Sequence, residues 1–206
     1  MDNIRFVNER TADLLREIGN IGTAHAASAL SEMLRQPVSI QVPRVDLVPF
    51  DDMAELIGDP EQVVVGVYLT LSGDFTGSLF FVQTPQAAKS LIAEVLPDAL
   101  ATTRLSDMEI SALAEMGNIM AANYLSSLMT FTGLQLSADV PMVAVDMAQA
   151  VLSVGLIRSL GVSHYALVVH TRIHHLSAIE DAHVFLLPDP GAERVLQNAL
   201  GVALDS

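Results

Sequence analysis

Apolar and polar positions divide the chain into helices and β-hairpins, and they do so twice. A long helix is predicted over 8–35 and a second over 106–132. The second has a marked start. Ser106 and Glu109 have the spacing of a capping box, with Leu105 and Ile110 placed for a hydrophobic staple. Gly133 is a natural stop. A short strand is expected after each helix, leading to Pro43 in one case and Pro141 in the other. Apolar runs at 63–71 and 76–83 flank Ser72, Gly73 and Asp74, a hairpin signal. Runs at 151–160 and 164–172 around Gly161 are predicted to form the matching hairpin. A helix over 85–96 closes the first half. In the second half an extra strand, 183–187, precedes a last helix over 190–203. The fold class that follows is α+β with a largely antiparallel sheet, because helices alternate with hairpins.

An internal repeat organises these elements. Sliding the sequence by 98 positions superimposes the stretch beginning at Asp13 on the stretch beginning at Ser111 without gaps. Glu17 falls on Glu115, Gly19 on Gly117, Asn20 on Asn118 and Ile21 on Ile119. Ala24 falls on Ala122, Ser28 on Ser126, Leu30 on Leu128, Pro43 on Pro141 and Val45 on Val143. A period this long is not that of a solenoid. It predicts one domain over 1–206, made of two α-β-hairpin-α halves near 1–98 and 99–206. The halves would be related by a pseudo-two-fold axis, with the two long helices antiparallel on one face of the sheet.

Composition narrows the function. The chain has 206 residues, enough to bury about 70–75% of its unfolded surface. Apolar residues make up 51% and charged residues 17%, which excludes general disorder. The absence of Cys excludes disulfides, zinc thiolate sites and cysteine nucleophiles. A net charge of −14 sets the chain against nucleic acid and anionic membranes, since phosphate affinity rests on Lys and Arg. The longest apolar-looking stretch, 140–157, is interrupted by Pro141, Asp146 and Gln149, so no membrane insertion is expected. The start of the chain carries Asp2 and Glu9 with no apolar targeting region after it, and a cytoplasmic location is expected.

The repeated polar set is the candidate chemistry. Asp13, Glu17 and Asn20 in the first helix, and Ser111, Glu115 and Asn118 in the second, are spaced by four and seven positions. At 3.6 residues per turn that puts each set within an arc of about 60°. A carboxylate and an amide therefore project together from a rigid rod. One copy of E-x-x-N is ordinarily a solvated helix face. Two copies in register are different, because core packing would retain apolar identity, not an acid and an amide. Gly19, Gly22, Gly117 and Ala121 are small neighbours whose use implies close approach of another backbone.

With its proline, the pattern reads Asp or Ser, three residues, Glu, two residues, Asn, 22 residues, Pro. It occurs as Asp13-Glu17-Asn20-Pro43 and as Ser111-Glu115-Asn118-Pro141. This resembles the signature of the CheC/CheX/FliY phosphatases, and two copies without a further domain resemble its CheC branch. The resemblance implies hydrolysis of the aspartyl phosphate of the response regulator CheY. It implies that Asn20 and Asn118 orient the attacking water, as a Gln does in GTPases. Glu17 and Glu115 would contact the receiver's active-site Lys. Mg²⁺ would sit on the receiver, and no cofactor or metal is expected on this chain. The resemblance also implies a second reading, an adaptor for the receptor deamidase CheD, with the segment around Asp146, Met147 and Val151 as candidate contact.

Three weaker signals remain. His170, His174 and His175, with His164 and His183 nearby, suggest a metal site but lack the acidic spacing of one, so exposed strand residues are expected. Met116, Met120 and Met129 are expected to pack in the core. Asp46, Asp51, Asp52, Glu55, Asp59 and Glu61, between Pro43 and Val63, are expected to form a solvated loop that could steer the chain to a Lys-bearing partner.

Overall fold

One seven-stranded sheet spans both halves of the chain. The structure, a computed structural model, describes residues 9–49, 52–96, 104–158, 165–175, 178–189 and 191–200. The first half comprises α1 (Glu9–Leu34), β1 (Val38–Pro49), α2 (Met53–Ile57), β2 (Val63–Gly73), β3 (Gly77–Gln83) and α3 (Pro85–Ile92). The second comprises α4 (Asp107–Thr132), β4 (Leu136–Ala138), β5 (Met142–Met147), α5 (Ala148–Arg158), β6 (Tyr165–His175), β7 (Ala178–Pro188) and α6 (Ala192–Leu200). The strand order is β1-β6-β7-β3-β2-β4, with β5 also on β2, and every pairing is antiparallel. The fold is α+β.

Exchanging the halves leaves this order unchanged. The hairpins β2–β3 and β6–β7 meet at the centre through β3 and β7. The strand after each long helix crosses over: β1 pairs with β6 of the other half, and β4 and β5 pair with β2.

Because neighbours alternate in direction, β1 and β4 run in opposite senses. Each is reached from its helix through residues 35–37 or 133–135, so α1 and α4 run antiparallel. Both helices pack on one face of the sheet over a core that includes Leu15, Ile18, Leu30, Val67, Phe81, Leu113 and Met116. The other face carries a smaller core, in which Val64, Phe80, Val168 and Phe185 are covered by Met53 of α2 and by Val151 and Leu152 of α5.

Local chemistry sets the helix ends. Ser106 and Glu109 form a complete capping box at α4, and Gly133 closes that helix with φ 74°. At the equivalent end of α1, Arg35 takes the same left-handed conformation with φ 54°. The Gln36 N–H donates to Ser31 O and the Arg35 N–H to Glu32 O, the bonding of a Schellman motif. Thr84 caps α3, accepting from the Ala87 N–H at 3.1 Å, with Pro85 behind it. Gly22 lets the long helices touch: a Cβ there would lie 3.0 Å from Tyr124 Cα and 3.1 Å from Asn123 O. The close approach expected of the small residues is therefore internal at Gly22.

Several expected elements differ. Of the predicted strand over 151–160, residues 159–160 lie outside the described residues and 151–158 are part of the helix α5. Its buried residues Ala148, Val151 and Leu152 follow helical spacing, and a short continuous apolar run does not distinguish the two states. The hairpin expected around Gly161, which lies outside the described residues, is instead β6–β7. The strand expected at 183–187 is then no extra element but part of β7, the counterpart of β3. The supposed short strand before Pro43 runs through it to Pro49, and the acidic connector that follows includes α2. Asp46, expected in a solvated loop, is 6% exposed on β1. The helix expected over 85–96 ends at Ile92. No helix among the described residues is long and apolar enough to cross a membrane.

Candidate functional site

The periodicity of α1 buries Leu15, Ile18, Gly19, Gly22, Ala26 and Ala27 and leaves Asp13, Glu17, Ala24 and Ser28 exposed, with Asn20 half-buried among them. In α4 the exposed residues include Ser111, Glu115, Asn118, Ala122 and Ser126. Every one is 98 positions from its counterpart, so much of the identity retained between the halves lies on an outward stripe of each helix. A carboxylate and a carboxamide head each stripe. The residues that follow are Ala and Ser, which leave room for another molecule to lie close. On each helix the structure brings the sequence-selected acid and amide to one surface.

The two copies differ in detail. Asp13 is paired with Arg16 at 2.9 Å on the surface, whereas its counterpart Ser111 is neutral. Asn20 Oδ1 accepts a hydrogen bond from the Val42 N–H at 3.0 Å. Asn118 is exposed, and its side chain makes no hydrogen bond among the described residues.

The motif prolines sit at matching irregularities. On β1, Gln41 pairs with Arg172 and Arg44 with His170, so Val42 and Pro43 stand against Thr171 alone. On the other edge, Ala138 pairs with Leu71 and Met142 with Tyr68, so 139–141 stand against 69–70. Each strand carries one extra residue, a bulge that a proline tolerates because it has no N–H to lose. Pro43 is exposed and Pro141 half-buried.

Close to the first bulge lies a polar cluster that sequence reasoning missed. The buried Asp46 carboxylate accepts from Arg44 Nε at 2.7 Å and lies 2.8 Å from His170 Nε2. The His183 ring stands edge-on to His170, with centroids 5.2 Å apart. Burial pushes the His183 imidazole down to about 4, the neighbouring His170 acts in the same direction, and Asp181 opposes it. A groove of about 500 Å³ opens beside these residues and is walled by Leu56 and Ile57. The alternation of β6 would have separated the histidines: His170 is on the α2/α5 side, while His175 is buried on the other face near Ser90 and Glu94. His170, His174 and His183 are half-buried and His175 is buried, not the exposed strand residues expected, and His164 lies outside the described residues. Met116 and Met120 are buried and Met129 is half-buried, as expected of core packing.

The β5 edge contains Asp146 and Met147, both exposed. Val151, grouped with them in the sequence, is 3% exposed and packs over Gly66 beneath α5.

The CheC-like family model matches residues 11–46 and 108–144, the two segments that carry the Glu, Asn and Pro positions. The CheY-P phosphatase CheC of Bacillus subtilis is 39% identical over 203 residues, covering 96% of this chain and 97% of the relative. The flagellar motor switch phosphatase FliY of the same organism is 27% identical over 66% of this chain and 36% of its own length. Among solved structures, Thermotoga maritima FliY has the same fold, with a TM-score of 0.75 at 18% identity over 95% of this chain and 98% of that chain.

Proposed function

The chain belongs to the CheC-like family, and from that premise we propose that it hydrolyses the aspartyl phosphate of the response regulator CheY. The observation that carries this reading is the duplicated outward stripe, with Glu17 and Asn20 on α1 and Glu115 and Asn118 on α4. An aspartyl phosphate is already a reactive acyl phosphate, and the receiver supplies Mg²⁺ and a Lys of its own. What remains is to place the water. Its oxygen forms the new bond to phosphorus, the bond from phosphorus to the aspartyl oxygen breaks, and the carboxylate leaves with that electron pair. The water's proton passes to the phosphate. Asn20 and Asn118 hold the water in line, and Glu17 and Glu115 meet the receiver Lys and fix the docked helix.

These roles separate in kinetics. Water placement lowers the barrier during attack, so its loss appears in the rate constant. A Glu–Lys contact exists before and during attack, so its loss appears first in affinity. We expect Asn20→Ala with Asn118→Ala to slow single-turnover hydrolysis of phosphorylated CheY at saturating enzyme about a hundredfold, roughly 2.7 kcal/mol, with docking largely intact. Glu17→Lys with Glu115→Lys should weaken docking. A normal saturated rate from the double Asn variant would overturn the water-placing role.

A second reading is favoured by the β5 edge, where Met142, Val145 and Met147 stay exposed. Here the chain acts as a binding partner of the deamidase CheD, with the phosphatase activity secondary. Met142→Asp with Met147→Asp would then abolish co-elution with CheD while leaving phosphate release unchanged. Loss of both, or of neither, would count against it.

A further inference from the structure

We infer that the proline-bearing bulge of β1 is part of the first site: the Val42 amide holds the Asn20 carboxamide so that its NH₂ group, not its oxygen, is offered to the partner. This rests on the reading of Asn20 as the group that places the water.

The bulge frees the amide. In a regular ladder the Val42 N–H would face β6 or solvent. Here two residues stand against Thr171, and the Val42 N–H meets Asn20 Oδ1 at 3.0 Å. Pro43 has no N–H with which to restore regular pairing at that point. The helix lies close enough to use the freed group, because Gly19 carries no side chain: a Cβ there would be 3.3 Å from the Val42 side chain. The contact is sheltered, since Val42 is 2% exposed and Asn20 half-buried.

The orientation follows from chemistry. A backbone N–H can be met only by the oxygen of a carboxamide. Oxygen and nitrogen lie on opposite sides of Cγ, so fixing the oxygen on β1 turns the NH₂ away from the strand. That group can donate to the water's oxygen and leave the water's other lone pair for phosphorus. It can also donate to a phosphoryl oxygen as charge develops there. The ordering of the side chain is settled before the partner arrives. The second copy has the bulge without the bond: Val140 is 84% exposed, and the Asn118 side chain makes no hydrogen bond among the described residues. Asn20 is therefore a preset donor, and Pro43 and Val42 are positioning residues for it.

The test uses the full chain carrying Asn118→Ala, so that the first site acts alone, with phosphorylated CheY and Mg²⁺. Pro43→Ala and Pro43→Gly loosen the bulge. The through-bond NMR coupling between the Val42 amide nitrogen and the Asn20 side-chain carbonyl carbon reports the contact independently of activity. We expect the coupling in the parent and its weakening in both variants. We also expect a three- to tenfold fall in the saturated single-turnover rate, with the half-saturating concentration unchanged. If the oxygen were the working atom, the bond would restrain it, and loosening the bulge would raise the rate. A raised or unchanged rate with the coupling lost would overturn the inference. So would no coupling in the parent, or undiminished coupling in both variants. Adding Asn20→Ala separates the two readings: a full rate there would remove the water-placing role itself, whereas a slow Asn20→Ala beside fast proline variants would sink only the bulge.

Discussion

Gly22 shows how one missing side chain sets the distance between the two site-bearing helices. Its backbone lies against Tyr124 and Asn123 of α4, where a Cβ would come within 3.0–3.1 Å of backbone atoms. Backbone cannot yield as a flexible side chain does. Gly22→Val gains helix propensity yet should destabilise the protein by about 1–3 kcal/mol through overpacking. Ala24→Val, two positions on and facing outward, should cost less than 1 kcal/mol. Urea unfolding of the two variants checks this, and equal costs would mean that the helices can separate freely. The same scale bears on the candidate site. Glu17, Asn20, Glu115 and Asn118 were legible because two copies share one spacing. The Val42 amide was not, because a backbone N–H leaves no mark in a sequence. Its only trace was the fixed gap to the proline.

At the scale of elements, α4 carries its own start signal, and the signal is also an ion pair. Glu109 accepts from the Ser106 N–H at 2.6 Å and lies 3.5 Å from Lys89 of α3. The hydrogen bonds from the Ser106 side chain and backbone hold the Glu109 carboxyl below its ordinary value, against the effect of burial, with Lys89 assisting. The folded pKa is thus lower than the unfolded one. This contribution to stability is present above the unfolded value near 4.5 and is lost as pH falls through the folded value. Glu109→Gln should therefore be less stable than the parent at pH 7, and the gap should narrow as pH falls below about 4.5. Ser106→Ala should cost about 1 kcal/mol at neutral pH. Denaturant midpoints across that range check both, and a gap that does not change with pH would count against the linkage. The capping box, Gly133 and the β2–β3 hairpin were readable because each depends on local residues. The helix α5 was not, because its run of apolar residues suits a buried strand as well as a helix. Tertiary contact with β2 decided between them.

Over the whole molecule, the halves are interleaved instead of stacked. β1 has its ladder partner in the second half, and β4 and β5 have theirs in the first. Neither half can complete its share of the sheet alone, and α1 and α4 share one core. We expect fragments 1–98 and 99–206 to lack dispersed amide spectra separately and to recover them on mixing. The intact chain should unfold in one transition. A dispersed spectrum from one fragment alone would show that the repeat unit is independently stable.

The sequence by itself determined the duplication, the two long helices, the capped start and Gly stop of the second, and the pairing of an acid with an amide on one face of each. These follow from periodicity and local hydrogen bonding, which act within a few residues. The tertiary structure decided which strands meet across the halves, that Asp46 is buried against His170, that 148–158 is a helix, and that Asn20 is held by the Val42 N–H while the Asn118 side chain makes no hydrogen bond among the described residues. Each depends on residues far apart in the chain, where burial and the need to satisfy backbone amides outweigh local preference.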